Sequence, residues 1–136
     1  MATMGEVAEG LAKRCRGIPD LTCYPVMHTA PAAPALCVQG PVRWTYNETM
    51  DGTWRAVFAL WVLVNSADLY RAQQALYTYL APTGTMSVPA AVFQDPTLGL
   101  PNVEATVLGG SSPPTVQGDS GGRLLGCAVE VEVTAM

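Results

Sequence analysis

The segment Trp54–Val64 constrains the fold more than any other part of the chain, because almost all of its side chains are apolar. In a strand its alternate positions form two faces, and here both are apolar. One face carries Trp54, Ala56, Phe58, Leu60, Val62 and Val64, and the other carries Arg55, Val57, Ala59, Trp61 and Leu63. We therefore expect a central strand whose second face is covered by helices or by a neighbouring subunit. The uncharged run within it is far shorter than the roughly 20 residues of a membrane-spanning helix, so no membrane span is predicted.

The composition indicates one domain, residues 1–136, that carries few charges. Only 13% of the side chains are charged, and Gly and Pro are frequent. The formal net charge is -4, with only seven Lys and Arg, which argues against a protein that grips nucleic acid phosphates. A surface this poor in charge suggests that other protein covers part of it. The acidic start of the N-terminus does not fit a secretory signal, so a cytoplasmic location is expected.

Hydrophobic spacing predicts two long helices and one short helix. Apolar residues recur at helical intervals over residues 4–16, with a capping-box pair at Thr3 and Glu6. Ser66 is expected to cap a second helix over residues 67–80. Ser87-Val88-Pro89 is expected to open a short helical turn through Phe93, with proline in its first turn.

Alternating patterns predict strands over residues 21–26, 36–46, 53–64, 103–108 and 123–134, with Asp51-Gly52 in a hairpin turn between the second and third. The element order predicts an α+β fold, in which helices pack on one face of an antiparallel β-sheet of four or five strands.

The last strand places Glu130 and Glu132 on the same face, where they form a candidate acidic surface toward solvent or a lumen. A metal pair is conceivable there, but no further ligands accompany it, so a solvated face is the preferred interpretation. The cysteines Cys15, Cys23, Cys37 and Cys127 lack zinc-site spacing and are interpreted as reduced apolar residues. No metal and no cofactor is predicted.

The sequence Gly118-Asp119-Ser120-Gly121-Gly122 reproduces the segment around the nucleophile of trypsin-like serine proteases. Such an enzyme would need His28, the only histidine, as base, with Asp51 or Asp68 to orient it. That protease fold consists of two six-stranded barrels, whereas this chain is short and predicted to be helical in two early segments. We interpret the motif as the tip of a hairpin, since Gly, Asp and Ser favour tight turns. No enzymatic activity is expected.

A resemblance covers nearly the whole chain. Its most characteristic stretch runs from Val62 to Gly99 and includes Ala72-Gln73, Tyr79-Leu80, Ser87-Val88 and Asp95-Pro96-Thr97-Leu98-Gly99. Gly17-Ile18-Pro19-Asp20-Leu21, the Pro/Ala loop at 31–34, Val38–Val42 and the closing segment Leu124–Val133 extend it. Together these segments resemble the tail terminator proteins of long, non-contractile-tailed bacteriophages, particularly those of actinobacterial hosts.

The resemblance implies a virion structural protein in the tail or neck, assembled in the host cytoplasm. It implies a hexameric ring that caps the tail tube, ends its polymerisation and offers the surface on which the head docks. Its partners would be further copies of the chain, the tail tube protein and a head-side connector or head-closure protein. DNA would pass through the lumen without tight binding.

Long loops are natural contacts for those partners. The candidate interface residues are His28, Pro31, Pro34, Asn47, Glu48, Asp51, Ser111, Pro113, Asp119 and Ser120. Two readings besides a terminator stay open: another neck or tail ring, such as a head-closure or tube protein, and a small serine protease. A third, a small-ligand binding domain, lacks a set of convergent polar residues.

Overall fold

The computed structural model describes residues 2–27, 34–46, 53–65, 68–111, 116–117 and 123–135. Its helices are α1 (Met4–Cys15), α2 (Leu69–Leu80) and α3 (Val88–Phe93). Its strands are β1 (Thr22–Tyr24), β2 (Ala35–Tyr46), β3 (Trp54–Asn65), β4 (Val103–Ser111), β5 (Val116–Gln117) and β6 (Arg123–Ala135). No helix within these ranges is both long enough and apolar enough to span a bilayer.

The strands form one sheet in the order β1-β2-β3-β6-β4, and the short β5 also pairs with β6. The three helices pack on one face of it, which confirms the predicted α+β fold. One pair differs from the expected antiparallel arrangement, because β1 runs parallel to β2. Hydrophobic alternation reports which face a residue occupies and not the direction of the neighbouring strand, so the sequence pattern did not distinguish the two cases.

Strand β3 is central, as its two apolar faces predicted. It pairs along its length with β2 on one side and with β6 on the other. Its first face enters the main core, where Phe58, Leu60 and Val62 are fully buried against the helices. Its opposite face carries Val57, Ala59 and Trp61, and no described helix packs there. We call this second side of the sheet the helix-free face.

Helix α1 begins and packs as predicted. The Thr3 hydroxyl accepts from the Glu6 N–H at 3.1 Å, and Glu6 accepts from the Thr3 N–H at 3.2 Å, so both halves of the capping box form. The apolar stripe is buried, including Val7 and Leu11. The Trp54 indole N–H donates to the Ala2 carbonyl at 3.2 Å and so fixes the start of the chain to β3.

Helix α2 is capped by Asp68 rather than by Ser66, which lies outside the described residues. The Asp68 carboxylate accepts from the Arg71 N–H at 3.3 Å. Both Ser and Asp are favourable caps, so composition alone did not decide between them. Helix α3 ends at Phe93 with a proline in its first turn, as predicted. Ser87 caps it: its hydroxyl accepts from the Ala90 N–H at 3.0 Å and donates to the Ala81 carbonyl.

A tight turn at Asp95–Gly99 connects α3 to β4. The Asp95 carboxylate accepts from both the N–H and the hydroxyl of Thr97. Leu98 is only 4% exposed although its backbone has the left-handed φ of 55°. A Cβ on Gly10 of α1 would lie 3.0 Å from the Leu98 Cβ, so the glycine allows helix and turn to approach closely. The turn thereby fixes α1, α3 and β4 to one another.

Candidate functional site

The helix-free face brings the predicted acidic residues together and adds a third. Glu130 and Glu132 share this face on β6, as the alternation predicted. Glu104 on β4 lies opposite Thr134 and therefore projects from the same face. Sequence reasoning missed Glu104, although the alternation of Val103, Ala105 and Val107 places it on the polar side.

Two arginines lie on this face as well, so it is not uniformly acidic. Arg55 Nε lies 3.8 Å from a Glu132 carboxylate oxygen, and Arg43 lies opposite Val57 in the β2-β3 ladder. The Arg55 side chain is 61% exposed, and an exposed pair of this kind contributes little to stability. The two cations lie toward β2, whereas the three carboxylates lie toward β4. The face therefore has a charge gradient across the sheet.

The apolar side chains of the helix-free face are largely shielded within the single chain. Val57, Ala59 and Leu63 are each about 95% buried. The Trp61 indole N–H donates to the Gln39 side-chain oxygen at 2.7 Å and so ties β3 to β2 on this side. Most of the exposed large apolar side chains among the described residues lie elsewhere.

Five of the exposed apolar side chains in the described part of the chain lie along the outer edge of β2. Because β1 pairs only with Ala35–Cys37, the rest of β2 has no neighbour on that edge among the described strands. Trp44 and Tyr46 lie opposite Ala56 and Trp54 and therefore on the helix side of the sheet, and Val42 precedes them on the same edge. They are joined by Val26 and Met27, and all five are between 41% and 70% exposed. We call these five residues the β2-edge patch.

Two exposed apolar side chains lie toward the opposite edge of the sheet. Phe93 at the end of α3 is 57% exposed and Leu108 on β4 is 48% exposed. We call these two residues the β4-edge patch. The β4 edge itself is partly protected, because the Ala105 N–H donates to the Pro96 carbonyl at 2.8 Å. The patch therefore offers side chains rather than a free backbone ladder.

The outer side of α2 presents a third aromatic feature. Tyr70 and Tyr77 are 73% and 60% exposed and lie two helical turns apart. The inner side of the same helix is buried through Ala72, Leu76 and Tyr79, as predicted.

Most of the predicted interface-loop residues lie outside the described residues: His28, Pro31, Asn47, Glu48, Asp51, Pro113, Asp119 and Ser120. Two can be placed. Pro34 is half-buried just before β2, and its carbonyl accepts from the Thr22 N–H at 3.2 Å. Ser111 is the last residue of β4.

The described part of the chain shows no catalytic constellation. Asp68, the candidate third member of a triad, is occupied in capping α2, and its second oxygen lies 3.6 Å from Arg71 Nε. No group of three potential metal ligands occurs among the residues that can be placed. A cleft of about 390 Å³ is lined mainly by apolar groups and backbone of β4, β6 and the helices.

The described cysteines are suited to packing rather than chemistry. All four are free thiols and buried. Burial raises the pKa of Cys15 to about 12 and that of Cys23 to about 11. At neutral pH these thiols carry almost no reactive thiolate, which agrees with their predicted role as small apolar residues.

Comparison of the sequence with models of known protein families and with curated proteins finds no match.

Proposed function

We propose that this protein is a tail terminator of a long, non-contractile-tailed bacteriophage. In this proposal six copies form a closed ring that caps the tail tube, ends its polymerisation and provides the head-joining surface in the virion neck. The observation that carries it is the placement of the exposed apolar side chains. Apart from Tyr70 and Tyr77 on α2, the exposed large apolar side chains among the described residues lie toward two opposite edges of one sheet, in the β2-edge and β4-edge patches, rather than around a concave polar pocket.

That placement suits a ring. A closed ring of more than two copies requires each copy to present two different surfaces, one for each neighbour. The β2-edge and β4-edge patches consist of different residues and lie at opposite edges of the sheet. Exposed aromatic groups such as Trp44 and Phe93 are the side chains that contribute most to protein interfaces.

The charge distribution is compatible with DNA passage. Six copies at -4 each carry -24 in all, and an acidic lumen would repel the phosphate backbone and keep contacts weak. Glu130 and Glu132 are candidate lumen residues, and Glu104 joins them on the same face. The extended resemblance to terminators, carried by the segment that ends in the Asp95–Gly99 turn, supports the same function.

The alternative of a serine protease is less favoured. The described fold is a single mixed sheet with helices on one face, not a pair of β-barrels. Another ring of the neck or tail, a head-closure or tube protein, shares the features above and is separated from a terminator by experiment.

The test is electron microscopy of phage produced without this protein. Termination predicts tails of irregular, excessive length, because nothing stops tube growth. Normal tails beside heads that have lost DNA would instead identify a head-closure protein. Complementation with Ser120→Ala provides a matched control: it should restore normal tails as well as the unchanged chain. Labelling of the unchanged chain by a fluorophosphonate probe, abolished in Ser120→Ala, would establish the protease and reject our proposal.

A further inference from the structure

We propose that neighbouring copies in the ring meet edge to edge, with the β2 edge of one copy against the β4 edge of the next, and that Arg43 pairs with Glu104 across this contact. The inference rests on the proposed ring and names its subunit interface.

Arg43 and Glu104 lie at neighbouring levels on opposite edges of the sheet. Cyclic symmetry relates neighbours by rotation without translation along the axis, so groups that meet must lie at the same level in each copy. In the proposed ring the axis runs along the strands, so the strand registers give those levels. Thr45, Arg55, Thr134 and Glu104 lie in one row across the sheet, and Arg43, Val57, Glu132 and Thr106 lie in the next. Arg43 and Glu104 are thus at neighbouring levels on opposite edges.

Arg43 and Glu104 also carry opposite charges. Arg43 and Glu104 are both exposed, both project from the helix-free face, and neither forms an ion pair with another described residue. A side-by-side arrangement that keeps this face continuous brings the cation of one copy to the carboxylate of the next. The same rotation repeats the contact at every interface of the ring, and complementary charges of this kind fix register and partner choice.

The helix side of the sheet brings apolar groups together at the same contact. On the helix side, Trp44 and Tyr46 lie in the same rows as Ala105 and Val103 of β4. The neighbouring copy therefore presents its β4 edge and the adjacent α3, with the exposed Phe93, to the β2-edge patch. Apolar groups meet apolar groups on one face while opposite charges meet on the other.

The contact uses side chains rather than a continuous backbone ladder. The Pro96 carbonyl already accepts from the Ala105 N–H on β4. On β2, Pro41 lies within a register irregularity between Gln39 and Arg43 and cannot donate a backbone hydrogen bond. Both edges are thus protected against open-ended sheet growth, which favours a bounded assembly.

Charge reversal in the purified chain tests the pair. We expect Arg43→Glu and Glu104→Arg each to weaken self-association by roughly tenfold or more, and the double reversal to recover most of it. Sedimentation velocity over a concentration series measures this. Lys13→Glu, an exposed reversal on α1, is the matched control and should leave association unchanged. Failure of the double reversal to recover association would overturn the pairing, and circular dichroism checks that every variant folds.

Cross-linking tests the edge assignment independently. In a Thr45→Cys/Thr106→Cys chain, a short bismaleimide should join copies into a ladder of covalent multimers, because each copy then carries one reactive thiol at each edge. Either single substitution should give almost no multimers, since the native cysteines are buried. Efficient dimers from Thr45→Cys alone would show a two-fold contact and overturn the inference. A ring that resists cross-linking would overturn it while leaving the proposed function intact, and normal tails without the protein would reject the function alone.

Discussion

Leu98 offers a sharp test of the turn that joins α1, α3 and β4, because two effects oppose each other there. Its side chain is buried, yet its backbone occupies the left-handed region that residues with a Cβ avoid. Leu98→Ala removes the burial and keeps the backbone cost, and we expect a loss of about 2 to 5 kcal/mol in the free energy of unfolding.

The stability of Leu98→Gly differs from that of Leu98→Ala through three contributions. Relative to alanine, glycine loses one more buried methyl, about 0.8 kcal/mol. Its more flexible unfolded chain costs about 0.5 to 1 kcal/mol further. Glycine also removes the steric strain of the left-handed backbone, which stabilises the folded state by about 1 to 2 kcal/mol. These contributions nearly cancel, so Leu98→Gly and Leu98→Ala should be equally stable to within about 0.8 kcal/mol.

Leu76 of α2 is the matched control, because it is similarly buried, 3% against 4%, but lies in a regular helix. There glycine should be less stable than alanine by about 1.5 to 2 kcal/mol. Guanidinium unfolding followed by far-UV circular dichroism, at one fixed protein concentration, measures both gaps. An alanine-glycine gap at Leu98 as large as the gap at Leu76 would refute the left-handed conformation.

Three further outcomes are expected. Asp68→Ala should lower the free energy of unfolding by about 1 kcal/mol through loss of the α2 cap, measured by denaturant titration. The hydrogen bond from the Thr97 hydroxyl holds the pKa of Asp95 below its ordinary value, so its contribution to stability is present at neutral pH and lost as the pH falls through the lowered folded value. Thr97→Val should raise that pKa, detectable by NMR titration of the carboxyl carbon, and an unchanged pKa would contradict the contact. Cys15 and Cys23 should react with Ellman's reagent only slowly in the folded protein and readily in guanidinium, because their pKa values are raised to about 12 and 11; fast reaction of either in the folded protein would contradict their burial.

The candidate site could be predicted from sequence only in part. Alternation on β6 placed Glu130 and Glu132 on one face, since side-chain direction in a strand depends on local geometry alone. The β2-edge patch was not predicted. Trp44 and Tyr46 follow the same alternation as buried aromatic residues, and exposure depends on where α1 ends relative to β2. The sequence of neither segment determines where α1 ends relative to β2.

The elements and their faces follow from the sequence by itself, because periodicity, caps and turn residues act over a few positions of chain. The α1 capping box, the central position of β3 and the short α3 are of this kind. The order of strands, the parallel direction of β1, the contact of Leu98 with Gly10 and the neighbouring levels of Arg43 and Glu104 were decided only in the tertiary structure. These features depend on contacts between residues far apart in the chain. Many different strand pairings would bury the same apolar side chains, and only the packing of the whole core selects one of them.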